Sequence, residues 1–216
     1  MSAAAELGRR ARAGLVERVA SEEVNNHVHT TYSFSPYEPA AAAWAAFKAG
    51  LGIVGSVDHD SIGAAEEMME AGRLIGIATT VGFEVRVSFL DTPLAKRKIN
   101  NPDSEGIVYI CIHGVPAQHI GEVRAFLAPI TEERNRRNKA QVEALMALVS
   151  QYGFDLDFER DVLPLSRYED GGSVTERHIL YAMALQTITM YGKGETLVAF
   201  LEKTLSIPLA PAIERL

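Results

Sequence analysis

A chain of 216 residues, 47% hydrophobic and 23% charged, can bury a sizeable core as one large domain or two small ones. Its net charge of −7 disfavours a broad nucleic-acid-binding surface. The one cysteine, Cys111, excludes an intrachain disulfide and fits a reducing cytoplasm. No run of about 18 apolar residues predicts a membrane span. The first twenty residues lack the apolar core of a signal peptide and pattern as an amphipathic helix, giving an N-terminal element over 1–22.

The first strand is predicted at 24–29. It holds His27 and His29, which share a side because residues i and i+2 of a strand do. Ser35-Pro36-Tyr37-Glu38 reads as a capping box with proline at the first helical position. That helix continues through an alanine-rich run and stops at Gly50. LGIVGSVDHD reads as a buried strand ending near Asp58, and 62–74 as a helix.

A third strand region, IGIATTVGFEVRVSF, carries Gly82, where a bend is expected, and Glu84. Residues 91–106 form an exposed loop, expected to be the most flexible segment. Strand 107–112 contains Cys111 in an apolar run, read as a buried structural thiol. Helices follow at 117–127, 131–152, 174–191 and 194–205. Strand and helix alternate in the first half, predicting an α/β protein with a mainly parallel sheet, whereas helices dominate 116–216.

Chemistry concentrates at three strand ends. Two neutral imidazoles from one strand can grip zinc, manganese or iron. Asp58-His59-Asp60 closes the next strand, and two acids flanking a histidine repel each other unless a cation is near. The alternative is Asp60 as a helix N-cap beside a surface His59. Glu84, an acid inside an apolar strand, needs either a metal or a salt bridge near Arg86, which lies on the same face. In a parallel α/β architecture these strand ends converge on one face. Farther along, Gly171-Gly172-Ser173 leads into a helix start with Ser173 and Glu176 at capping-box spacing. Arg177 and His178 then fall in the first turn, a place suited to an anion. Arg134 and Arg137 share a face of the long helix and could reach a phosphate.

HVHTTYS, VDHDSIGAAEE and VGFEV together resemble the PHP (polymerase and histidinol phosphatase) superfamily over residues 25–86, with a weaker likeness over 107–185. The resemblance implies an α/β fold, a distorted (β/α)7 barrel that is incomplete in this chain and carries a helical insertion. The barrel strands and metal site would occupy 23–115 and the helical part 116–216. It implies two or three divalent ions (manganese, zinc or iron) on His27, His29, His59, Glu84 and His113, with Tyr109 as the rival to His113. It further implies hydrolysis of a small phosphomonoester or nucleotide by metal-activated water. Asp58 or Asp60 would orient the water or move a proton, and Arg177 with His178 would stabilise phosphoryl charge. Two departures stand out. Phe34 follows Ser33 where the family has an aspartate ligand, and no Asp-x-His motif follows Gly192. The chain is therefore expected to be a fragment of a longer protein, the alternative being a weakened, non-catalytic metal-binding module. An amidohydrolase-type barrel is disfavoured because strand 107–112 has no lysine.

Overall fold

The computed structural model describes residues 3–14, 19–101 and 104–208. The chain divides into two compact units, residues 1–136 with 166–175, and 137–165 with 176–216. The division falls within a long helix.

The first unit is built on a four-stranded sheet in the order β1 (Val24–Val28), β2 (Ile53–His59), β3 (Ala78–Ser88), β4 (Ile107–His113). It forms part of a barrel wall. β1, β2 and β3 run parallel, joined by the crossover helices α2 (Pro39–Lys48) and α3 (Ala65–Ile75), after α1 (Ala3–Arg12) at the start. β4 is the antiparallel member of a mainly parallel sheet. It runs antiparallel to β3, pairing Gly82 with His113, Glu84 with Cys111 and Arg86 with Tyr109. Among the described residues no helix lies between β3 and β4, and the chain returns as a long hairpin. The Asn100 side chain closes the outer edge of β4. Its amide accepts from Tyr109 N at 2.9 Å and donates to Tyr109 O at 2.7 Å, occupying groups an edge strand otherwise exposes.

α2 begins at Pro39 with Glu38 as its N-cap, so the expected start at Ser35 is corrected. Glu38 cannot serve a capping box because its carboxylate accepts from Thr31 Oγ1 at 3.0 Å and Arg167 at 2.6 Å. Gly82 does not bend β3, which is continuous over Ala78–Ser88. A Cβ there would stand 1.9 Å from the Ile112 carbonyl oxygen. The glycine is needed for the close approach of β4. The core of this unit lies between sheet and helices. Val54, Val81 and Phe83 from the strands meet Ala43, Met68 and Ala71 from the helices, with Ile120 and Leu127 added.

The expected pair of helices at 117–127 and 131–152 is one helix, α4 (Ile120–Val149), with Pro129 inside it. The missing N–H at Pro129 costs one hydrogen bond, to the carbonyl of Ala125, and the remaining turns carry the helix through. In the second unit, the later part of α4 accompanies a π-turn (Phe158–Val162), α5 (Glu176–Tyr191) and α6 (Glu195–Ala199), which continues as a π-turn over Phe200–Thr204. Its core holds Val142, Phe154, Leu156, Phe158, Val162, Ile179 and Phe200. The Phe200 ring stacks on Tyr191 with centroids 4.1 Å apart. Residues 209–216 of the expected tail lie outside the described residues. Among the described residues no helix is long and apolar enough to cross a membrane.

Candidate metal centre

His27 and His29 leave the end of β1 on the same side, and their Nε2 atoms face each other at 3.2 Å. Parallel pairing sets His59 beside Glu84. Glu84 Oε2 is then the hub of the cluster, 3.4 Å from His27 Nε2, 3.6 Å from His29 Nε2 and 3.3 Å from His59 Nδ1. The His29 and His59 rings stack at 4.6 Å. Glu84 is only 8% exposed, and the histidines screen it from water. Among the described residues its carboxylate faces these imidazoles and forms no ion pair with Arg86.

The donor set suits a divalent cation. Tetrahedral donors about 2.0–2.2 Å from a shared ion stand about 3.3–3.6 Å from one another. The separations at Glu84 Oε2 fall in that range. His27, His29 and Glu84 offer donor atoms that all lie within 4.8 Å of one another, and His59 joins them through Glu84. Imidazole with carboxylate is the chemistry preferred by zinc, manganese or iron.

The acids beside His59 are engaged elsewhere. Asp58 is 1% exposed and accepts from Thr30 N (2.7 Å), Thr30 Oγ1 (2.7 Å) and Ser33 Oγ (2.7 Å). Burial pushes its carboxyl above the ordinary range, and these hydrogen bonds pull it back. Asp58 thereby ties the loop after His29 to the end of β2. Asp60 is 4% exposed, with Oδ2 accepting from Arg134 Nε at 2.5 Å. Asp60 also adopts φ +48°, with its N–H donating to the Glu84 carbonyl at 2.8 Å and its carbonyl accepting from Thr131 Oγ1 at 3.0 Å. It is not the N-cap of α3, which is Ala64. The Asp60–Arg134 pair, both members buried, commits the arginine that could otherwise have reached a phosphate.

His113 is exposed and stands opposite Gly82, one two-residue step from Glu84. The residue paired with Glu84 is Cys111, whose Sγ lies 3.7 Å from His27 Nδ1. Cys111 is half-buried and touches the cluster, unlike the structural thiol expected from its apolar run. Tyr109, two residues back, places its ring 5.8 Å from that of His59. The apolar run around Cys111 gives no sign of its place beside the cluster. The missing helix between β3 and β4 was the available signal, because an antiparallel return fixes which residues of β4 oppose Glu84.

Gly172 and Ser173 belong to the first unit and pack on the segment after β1. Ser173 N donates to Tyr32 O at 2.8 Å, and a Cβ on Gly172 would come 2.9 Å from the same oxygen. The Ser173 hydroxyl is buried without a hydrogen-bond partner among the described residues, so the predicted capping box does not form. α5 starts at Glu176 instead. Arg177, exposed, and His178, 3% exposed, lie in its first turn within the second unit.

No protein-family model matches this sequence, and no curated protein does either. Solved structures do. One is a protein from Bifidobacterium adolescentis classed as a metal-dependent phosphoesterase, at 21% identity and a TM-score of 0.58, covering 90% of this chain and 60% of that one. Another is an amidohydrolase from Chromobacterium violaceum, at 19% identity and a TM-score of 0.54, covering 82% and 53%. The chain thus shares its fold with a protein described as a metal-dependent phosphoesterase and with an amidohydrolase, and spans little more than half their length.

Proposed function

We propose that this chain carries the metal centre of a phosphoesterase of the PHP type, acting on a small phosphomonoester or nucleotide. The observation that carries the reading is the convergence of three imidazole nitrogens within 3.6 Å of Glu84 Oε2. His27, His29, His59 and Glu84 would hold divalent cation, which supplies a low-pKa water and polarisation of a phosphoryl oxygen. Asp58 holds the His29 loop against β2, and Asp60 with Arg134 fixes the turn that follows His59. Arg177 and His178, at the start of α5, are assigned the phosphoryl oxygens, with bidentate donation from the guanidinium. His113 is the weakest member of the proposed ligand set, because its register places it one step from Glu84.

The test is reconstitution. Chelated protein is loaded with manganese, zinc or iron(II) in turn and assayed on p-nitrophenyl phosphate and nucleoside monophosphates. Turnover is expected with at least one metal. Glu84→Gln should lose cation binding tenfold or more and turnover with it. A protein that binds metal with unchanged affinity after that substitution excludes this centre. Stoichiometric metal without turnover supports the second reading, a non-catalytic metal-binding module. Phe34 favours that reading, standing where the resembling family has a carboxylate.

A further inference from the structure

The face that carries the metal cluster also carries a cation, Arg86, that forms no ion pair with an acid among the described residues. Arg86 follows Glu84 by two residues on β3, so both side chains rise on the same side of the sheet. Its cross-strand partner is Tyr109, and the Arg86 Cζ lies 5.9 Å from the centre of that ring. The Tyr109 ring lies 5.8 Å from His59, which stacks on His29 at 4.6 Å. A continuous row of planar groups therefore leads from the candidate metal centre to one guanidinium. Arg86 is half-buried, and among the described residues its Nε is buried without a hydrogen-bond partner. The basic residues on α4 differ. Arg134 is paired with Asp60, Arg136 with Glu133 and Lys139 with Glu159.

An uncompensated guanidinium beside a cation site is costly for the free protein, since like charges repel. The cost is offset when an anion occupies the space between them. We propose that Arg86 is an anion-binding residue of this site, holding the phosphate group of the ligand against the metal centre with Tyr109 as its stacking platform. Glu84 and Arg86 are about 7 Å apart along the strand, within the reach of an arginine side chain, and a guanidinium fork matches two phosphate oxygens. The inference rests on the phosphoesterase reading for its choice of ligand. It also gives that reading a selectivity, because an extra positive charge favours an anionic phosphate ester over a neutral amide.

The experiment is calorimetric titration of manganese-loaded protein with inorganic phosphate, with bound manganese and melting temperature measured on the same samples. Arg86→Gln is expected to weaken phosphate binding tenfold or more without changing manganese stoichiometry. Arg86→Lys should recover part of the loss, since it returns the charge without the fork, and it serves as the readout if the glutamine variant does not fold. Unchanged phosphate affinity in the variants overturns the proposal, as does a parent protein that binds no phosphate. A lowered melting temperature with unchanged affinity also overturns it, leaving Arg86 a structural partner of Tyr109. Parallel turnover assays separate the two claims. Turnover by the parent with unaltered affinity in the variants removes Arg86 alone. Arg86-dependent phosphate binding without turnover removes the catalytic reading alone.

Discussion

Asp58 accepts three hydrogen bonds with both oxygens while 1% exposed, so its work is to hold the loop that follows His29. Asp58→Ala strands three donors, two of them side-chain hydroxyls that can turn to other partners, and is expected to cost about 2–4 kcal/mol in urea denaturation. Asp58→Asn should cost less, because an amide oxygen keeps two of the donors and the NH2 can donate to Thr30 Oγ1. The two variants respond differently to pH. Burial raises the Asp58 carboxyl in the folded protein above its unfolded value, so its ionisation penalises folding as pH rises through that interval. Relative to the parent, Asp58→Asn should therefore be least stable in acid and improve toward neutral pH, read as the difference in melting temperature in chelator. A constant difference would show that burial does not govern this group. At this scale the convergence of His27, His29, His59 and Glu84 was legible, because alternation within a strand and parallel order between strands are local rules. The partner of Asp60 was not. Arg134 lies 74 residues away, and no pattern in either segment announces the pair.

The direction of β4 decides which side chains meet the cluster. The family resemblance implied its last residue, His113, as a ligand, with Tyr109 as rival. Running antiparallel, the strand sets Cys111 opposite Glu84 and near His27, Tyr109 near His59, and His113 one two-residue step away opposite Gly82. Strand positions 107–112 were readable from apolar content, but direction is a property of the connection. Helix limits failed for related reasons. Glu38 is diverted from its local cap by Thr31 and by Arg167, which is 129 residues away, and α4 continues through Pro129. The β3–β4 contact also supplies a test of register. Gly82→Ala would drive a methyl group into the Ile112 carbonyl, where the Cβ position lies 1.9 Å from the oxygen. Overpacking of this kind costs about 1–3 kcal/mol, and more where backbone must move. The expected result is a lower midpoint in urea together with weaker manganese binding, because Cys111 and Tyr109 shift with β4. An alanine variant as stable as the parent would mean that β4 lies farther from β3 than this register places it.

All the proposed ligands, His27, His29, His59, Glu84 and His113, lie in the first unit, whereas Arg177 and His178 lie in the second. The alternation of strand and helix made the first unit readable as α/β, and helical content made the second readable as a helical layer. The helix α4 passes from one unit into the other without a break in pattern. The proposed cation ligands and the proposed phosphoryl role of Arg177 can be measured separately. A ligand that binds only the folded state stabilises it by about 2.7 kcal/mol at a hundredfold excess over its Kd. Manganese at that excess should raise the melting temperature of the parent protein. Glu84→Gln should cut the rise to about half or less, since it disturbs the oxygen shared by three imidazoles and weakens binding tenfold or more. Arg177→Gln should keep the full rise and lose phosphate-ester turnover tenfold or more, because the arginine is assigned to the phosphoryl group and contributes no metal donor. If Arg177→Gln loses the manganese response, that residue belongs to the cation site. If it keeps both the response and the turnover, the start of α5 has no part in the reaction.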